Sequence, residues 1–301
     1  MKTYKIGLVI FLIICSNITG ISQQNIKTLA SQIKKNISKF DGYPFKDDTF
    51  DADSLSLVIA NQLVRLLKKA TLSEKESKEI GLELSVKTTD SSNIRIYNFW
   101  YTSGGSRASI THPVIQWTNK EGKLFAYNFS KYANCEFTEI NRLSSSSKRL
   151  YLLTGHEPGN GACVQGFIYT IQIKGGYLIL DYPAFVSAPY LGFCNVQIDF
   201  DKKKQQLDLS FDTYRDMYYH TDEKKYLKNK KSIQKLDAWF TQDTATLSVK
   251  LKFNGNRFRK VNYFPTVPLE KCFDVWSFFN MTTSLVFKAQ SCVCTWFTVC
   301  F

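Results

Sequence analysis

The chain has 301 residues and an ordinary globular composition, 44% hydrophobic and 22% charged, so it can bury a sizeable core as one large domain or two smaller ones. After the N-terminal region, no stretch of about twenty uncharged apolar residues occurs, which excludes a transmembrane helix. The net charge of +13 allows an acidic partner, but lysine clusters such as Lys202–Lys204 lie in polar, turn-like stretches and favour a solvated surface.

Residues 1–22 are predicted to be a secretory signal peptide. Two lysines precede the short apolar run Ile6–Ile14, and small residues follow it. Cleavage near Gln23 would give a secreted or periplasmic protein and, with the loss of both lysines, lower the net charge from +13 to +11. Acylation of Cys15 as a lipid anchor is the alternative; it requires a small preceding residue, and Ile14 is not small, which favours cleavage.

Residues 23–79 are predicted to be an N-terminal helical segment that packs on a sheet. Apolar residues recur at helical spacing from Ile26 to Ile37, which indicates a short amphipathic helix. Asp51 or Asp53 can cap a second, longer helix. Its apolar stripe consists of Leu55, Val58, Ile59, Leu63, Leu66, Leu67 and Ala70.

Residues 80–262 are predicted to be an antiparallel β domain, because the apolar period changes here from 3.6 to 2. The predicted strands are 82–86, 94–101, 114–117, 124–129, 164–173, 177–181, 194–200, 207–211, 245–253 and 257–261. Asn254-Gly255 is a strong hairpin signal between the last two. The predicted fold class is α+β, mainly β: meandering antiparallel sheets, as a sandwich, an open barrel or propeller-like blades, preceded by one or two amphipathic helices.

Residues 263–301 form an atypical tail that is rich in cysteine and aromatic residues and nearly uncharged. It contains four of the seven cysteines that follow the predicted cleavage point, which are Cys272, Cys292, Cys294 and Cys300. One interpretation is a disulfide-linked or partner-binding extension. The interpretation that we favour is an aberrant translation product, because the tail has no clear period and no capping pattern.

Several short strings between residues 94 and 211 resemble uncharacterised secreted proteins of Bacteroidetes. They include Ile94–Tyr97, Val114–Trp117, Leu150–Gly155 and Tyr177–Pro183. Gln23 directly after the predicted cut is also similar to signal sequences of that group. The resemblance covers about the middle half of the mature chain and implies export. It implies no activity and no catalytic residues.

The sequence contains no recognised catalytic or metal-binding motif. The only histidines are His112, His156 and His220, and none has a second His or Cys at metal-ligand spacing, so no metal site is predicted. The sequence around Ser103 lacks the spacing of a nucleophile elbow. No cofactor motif is present, and whether the chain is an enzyme stays open, with a non-enzymatic role favoured.

Two loops are candidate ligand-binding segments, because each combines imidazole or aromatic groups with a carboxylate. The candidate residues are His156 and Glu157 in the first loop, and Tyr218, Tyr219, His220 and Asp222 in the second. If the ligand is a glycan, the residues expected to stack on it are Trp100, Tyr101, Tyr218 and Tyr219. No nucleic-acid partner is expected, because the basic runs lack interleaved aromatic residues.

The cysteines allow one disulfide prediction. Cys163 and Cys194 both lie at the start of predicted strands, and neighbouring strands bring such positions within disulfide distance. In that case Cys135 is unpaired. The alternative is a disulfide in which Cys135 is one of the two partners. A Cys163–His pair for catalysis is conceivable, but exported thiols are usually oxidised.

Three classes of function remain. The first is a non-enzymatic envelope or periplasmic protein that binds a ligand through loops of a β scaffold, with a glycan or another envelope protein as candidate partner. The second is an exported hydrolase in which His156 or His220 lies in a cleft beside a carboxylate. The third is a structural or assembly component, which an exposed edge strand or apolar patch would favour.

Overall fold

A computed structural model describes residues 24–43, 50–88, 90, 92–102, 109–157, 163–241 and 246–261. The predicted signal peptide, Cys15 as a lipid anchor and the tail 263–301 lie outside the described residues. The second half of the candidate loop that begins at His156 also lies outside them.

Five α-helices occur in the described part of the chain. They are α1 (residues 24–37), α2 (Ala52–Leu67), α3 (Glu74–Glu79), α4 (Glu223–Tyr226) and α5 (Lys230–Thr241). Of the two proposed caps of α2, Asp51 occupies the N-cap position, where its side chain accepts a hydrogen bond from the backbone N–H of Ser54 at 2.9 Å. The short helix α3 is not among the predicted elements; a reciprocal capping box between Ser73 and Glu76 starts it.

The predicted fold class is confirmed, because the chain is mainly β, its sheets are antiparallel, and helices precede them. The strands are β1 (Glu83–Lys87), β2 (Arg95–Tyr101), β3 (Ile110–Thr118), β4 (Leu124–Asn128), β5 (Glu136–Leu143), β6 (Arg149–Glu157), β7 (Gln165–Lys174), β8 (Tyr177–Ile179), β9 (Tyr190–Cys194), β10 (Val196–Asp201), β11 (Gln206–Phe211), β12 (Ser248–Phe253) and β13 (Phe258–Lys260). They form three sheets: β1-β2-β3-β4, then β5-β6-β7-β8 with β9 also paired to β7, then β10-β11-β12-β13.

The first sheet carries the N-terminal helices on one face. Ile33 of α1 and Ile59 and Leu63 of α2 are fully buried in one cluster with Tyr97 and Phe99 of β2. A buried amide in this layer is paired with the end of α2. The side-chain amide of Gln116, on β3, donates hydrogen bonds to the carbonyl oxygens of Leu67 at 2.6 Å and Ala70 at 2.9 Å, where α2 has ended and leaves carbonyls without helical partners.

The second sheet is covered on both faces. Tyr151 and Leu153 of β6 pack against the first sheet in one cluster, while Leu150 and Leu152 pack against the third sheet and α5 in another. Successive side chains of a strand point to opposite faces, so a strand covered on both faces is apolar along its length. The described unit therefore has four layers: the N-terminal helices α1 and α2, then three stacked sheets. The helix α5 packs in the cluster between the second and third sheets.

The predicted strand 194–200 is divided in two. Cys194 ends β9, and β10 begins at Val196 in the third sheet. Asn195, between them, has a φ of 45°, which interrupts the extended chain. The sequence pattern predicts Cys194 at the start of a strand. In the structure it lies at the end of one. Among the described helices, none has the length and apolar character needed to span a membrane.

Candidate functional site

A groove lies where the second and third sheets meet, at the end of the β6–β7 hairpin. Its volume is about 240 Å³. The residues that line it come from β5, β6, β7, β10 and the segments beside them, and they are Thr138, Glu139, Thr154, Gly155, His156, Val164, Gly166, Asn195, Val196 and Ile198. Of the ligand-binding residues that the sequence predicts, only His156 lines the groove.

Two glycines at this end of the second sheet allow close packing, one on each face of the sheet, and Gly166 is the one on the groove side. At Gly166 of β7, a Cβ atom would lie 2.5 Å from Cγ1 of Val196 on β10. At Gly155 of β6, a Cβ atom would lie 2.8 Å from Sγ of Cys135, on the face of the sheet opposite to the groove. Any side chain at either position would push a neighbouring element away, so both glycines serve close packing.

His156 is the principal polar side chain of the groove. It lies directly opposite Glu136 in the β5–β6 register, and its Nε2 atom is 3.6 Å from Oε2 of Glu136. The two side chains are 44% and 38% exposed, so both are accessible to a solute. The separation is longer than a hydrogen bond, which leaves both groups with capacity to bond a ligand that lies beside them.

The wall on the side of β9 is held in place by hydrogen bonds and a disulfide. Oδ1 of Asn195 accepts a hydrogen bond from the backbone N–H of Val164 at 3.2 Å, and its Nδ2 donates to Asp216 at 3.2 Å. Cys163 and Cys194, the residues beside this pair, form a disulfide. These are the two cysteines that the sequence predicts as partners, and Cys135 is a free, buried thiol.

Glu157 does not share the groove with His156. It is the next residue of β6 and therefore points to the opposite face of the sheet, towards Cys135. Burial raises the pKa of the Cys135 thiol well above its usual range, and the carboxylates of Glu157 and Glu136 raise it further. A thiol in this state is a poor nucleophile, so the first candidate loop contributes only its histidine to the groove.

His220 also lies on the other face of the second sheet. It pairs with Gly192 of β9 through backbone hydrogen bonds of 2.9 and 2.6 Å. Gly192 lies opposite Phe167 of β7, and Phe167 in turn lies opposite Gly155 of β6. Residues opposite one another in antiparallel strands point to the same face, whereas His156 is the neighbour of Gly155 in the chain. The two histidines therefore cannot act on one ligand.

The other residues of the second candidate loop have different environments. Tyr218 is exposed. The hydroxyl of Tyr219 donates a hydrogen bond to Asp237 of α5 at 2.8 Å. Asp222 caps α4, accepting a hydrogen bond from the backbone N–H of Lys225 at 3.0 Å. Two of these side chains thus hold local structure.

Trp100 and Tyr101 do not form a shared stacking surface. They are neighbours on β2 and point to opposite faces, and Trp100 is exposed whereas Tyr101 is buried. The ring of Tyr101 stacks on Phe40 with centroids 4.3 Å apart, beneath the helical layer. Burial is the main cause that raises the pKa of Tyr101 to about 12. Tyr101 is therefore a core residue and presents no face to a glycan.

The residues that complete the groove were not predicted from the sequence. Glu136, Thr138 and Glu139 belong to β5, a strand that is not among the predicted elements. Asn195 lies inside a predicted strand. Only the register of β5, β6 and β7 and the crossing of β10 bring these positions to His156, and no local motif indicates that arrangement.

No known family model, curated protein or solved structure significantly matches this chain. Within the described ranges, no group of three or more His, Cys, Asp or Glu side chains is placed to hold a metal ion. The interpretation of the groove therefore depends on its own geometry and chemistry.

Proposed function

We propose that this protein is an exported, non-enzymatic binding protein of the envelope or periplasm, and that the groove at His156 binds a small polar ligand. The observation that supports this proposal is the accessible pair of His156 and Glu136 beside a groove with a rigid wall. Sites for drug-sized ligands have volumes of about 300–1,000 Å³, so a groove of about 240 Å³ suits a smaller ligand. The proposed export depends on the signal-like N-terminus.

The chemistry of the groove favours a ligand that carries an amino group. Glu139 lines the groove and Glu136 lies beside it, and none of the described lining residues is a lysine or arginine. Carboxylates accept hydrogen bonds and attract a positive charge. The proposed ligand is therefore a small primary amine, such as an amino sugar or a free amino acid.

The test compares matched ligands on the full-length protein by isothermal titration calorimetry. Glucosamine is compared with glucose, and free amino acids are compared with their N-acetyl forms. We expect the ligands with a free amino group to bind more tightly. His156→Ala and Glu136→Gln should each weaken binding about tenfold, because each removes one polar contact to the ligand.

His220→Ala is the matched control, since it removes an exposed histidine from the other face of the same sheet. Its affinity should equal that of the unchanged protein. Equal weakening by His220→Ala and His156→Ala, or no preference for free amines, would contradict the proposal.

A second candidate function is an exported hydrolase, because His156 and Glu136 also form a His/carboxylate pair. A histidine near a carboxylate can act as a general base, and its hydrogen bonds often shorten when the substrate binds. Chromogenic ester and glycoside substrates test this reading. Hydrolysis that is lost in both His156→Ala and Glu136→Gln, and kept in His220→Ala, would establish it in place of simple binding.

A further inference from the structure

Four separate segments place a second set of aromatic and charged side chains together, away from the groove. Tyr127 comes from β4, Tyr132 follows it in the chain, Asp181 follows β8, and Lys225 and Tyr226 belong to α4. We call these five residues the aromatic platform. None of them is among the candidates that the sequence identifies.

The contacts within the platform are close. Nζ of Lys225 lies 4.7 Å from the centroid of the Tyr226 ring and 5.7 Å from that of Tyr132. The hydroxyl of Tyr226 donates a hydrogen bond of 2.7 Å to Asp181, whose carboxylate is 3.5 Å from Nζ of Lys225. The rings of Tyr127 and Tyr132 lie 6.2 Å apart. Aromatic faces, a carboxylate and an ammonium group are thus neighbours.

Two tyrosines, of which Tyr190 is partly buried and Tyr169 is buried, hold the platform from below. Tyr226 makes an edge contact with Tyr190, with centroids 6.0 Å apart, and Tyr190 stacks on the buried Tyr169 at 4.9 Å. Above them, Tyr132 is 44% exposed, and the side chains of Asp181 and Lys225 are each 48% exposed. The surface is therefore fixed in position before a ligand arrives, which reduces the entropy cost of binding.

We propose that the aromatic platform binds a carbohydrate chain, with a sugar ring lying on Tyr132 and its hydroxyl groups bonded by Asp181 and Lys225. A sugar ring has an apolar face of C–H groups that suits an aromatic ring, and its hydroxyls act as both donors and acceptors. A carboxylate beside an ammonium group serves both roles. The carboxylate of Asp181 and the ammonium group of Lys225 together carry no net charge, which favours a neutral carbohydrate as the ligand.

The site is distinct from the groove, so its ligand is tested separately. Soluble oligosaccharides of glucose, mannose and N-acetylglucosamine are titrated into the full-length protein by calorimetry. We expect at least one of them to bind. Tyr132→Ala should weaken that binding about five- to tenfold, whereas Tyr132→Phe, which keeps the ring, should stay within about twofold. Asp181→Asn should also weaken binding, and it preserves the shape of the side chain.

Two controls separate this proposal from that for the groove. Tyr177→Ala removes a tyrosine on β8 that is 77% exposed and should leave oligosaccharide affinity unchanged. His156→Ala should also leave it unchanged while it weakens amine binding. The proposal is overturned if no oligosaccharide binds, or if Asp181→Asn and a folded Tyr132→Ala bind as tightly as the unchanged protein. Amine binding at the groove would stand in either case.

Discussion

His112 is an imidazole enclosed by aromatic rings beneath the helical layer. It is only 8% exposed, and its ring lies nearly parallel to those of Phe99, at 4.7 Å, and Tyr101, at 5.7 Å. Its Nε2 atom has no hydrogen-bond partner among the described residues. Burial lowers its pKa from 6.5 to about 4, and Asp53 only partly opposes this effect.

This shift makes stability depend on pH. Between pH 6.5 and about 4 the unfolded chain binds a proton on His112 and the folded chain does not, so the free energy of unfolding decreases as the pH falls through this window. From about pH 7 to about pH 4.5 the loss due to this histidine should be about 2 kcal/mol. We expect the acid-induced loss of unfolding free energy to be smaller in His112→Phe than in the unchanged protein, by about 2 kcal/mol. Urea unfolding at both pH values measures this difference.

His220→Ala is the control for this measurement, because it removes an exposed histidine and should keep the pH dependence of the unchanged protein. Carboxylates titrate in the same range, but they contribute equally in all variants. An identical acid-induced loss in His112→Phe and in the unchanged protein would show that His112 does not titrate as a buried group.

At the scale of elements, the disulfide joins the segment before β7 to the last residue of β9. These strands are direct neighbours, and Cys194 is in register with Gln165. The bond closes a loop with a sequence separation of 31 residues. The cross-link limits the conformational freedom of the unfolded chain, which stabilises the folded state. In the folded state it joins the ends of β7 and β9, the pair of strands that supports one wall of the groove.

We expect non-reducing peptide mapping to recover Cys163 and Cys194 in one linked peptide and Cys135 as a free thiol. The double variant Cys163→Ala/Cys194→Ala should lose about 3–4 kcal/mol of unfolding free energy, as estimated from the loop length. Cys135→Ala should keep the linked peptide. Recovery of a linked peptide that contains Cys135, or free thiols at Cys163 and Cys194 under oxidising conditions, would refute this connectivity.

At the scale of the whole molecule, the described unit closes with the β12–β13 hairpin. Val261 donates a backbone hydrogen bond to Lys250 at 2.8 Å, and Phe258 donates one to Ala184 at 2.8 Å. Phe258 is fully buried between the third sheet and the segment around Phe185, with the two phenyl rings stacked at 5.0 Å. The last strand is therefore joined to the core through its own residues.

A chain that ends at Asn262 should for this reason unfold cooperatively, with a midpoint close to that of the full chain. It should also be more soluble, because it lacks the four cysteines and the uncharged aromatic residues of the tail. Thermal unfolding followed by circular dichroism compares the two chains. Loss of cooperativity in the shorter chain would mean that residues 263–301 contribute to the core.

The sequence by itself determined the class of fold and most of the elements that show a clear period. The helix α2, the strict alternation of β10 and β11 and the Asn254-Gly255 turn are local patterns, and the structure contains each of them. The predicted stripe of α2 is buried at Ile59, Leu63, Leu66 and Leu67, whereas Val58 is exposed and Ala70 lies beyond the end of the helix. Local physics suffices there, because one face is buried and the other is solvated. The pairing of Cys163 with Cys194 was also predicted, but from a strand position that proved wrong for Cys194.

Only the tertiary structure decided which polar residues meet. β5 lacks a strict alternation, and the groove that it helps to form depends on strand register and on the passage of β10 over Gly166. The same holds for burial: Trp100 and Tyr101 are adjacent aromatic residues, yet the helical layer covers only one of them. Register and layer order arise from long-range packing over the whole chain, and no short segment contains that information.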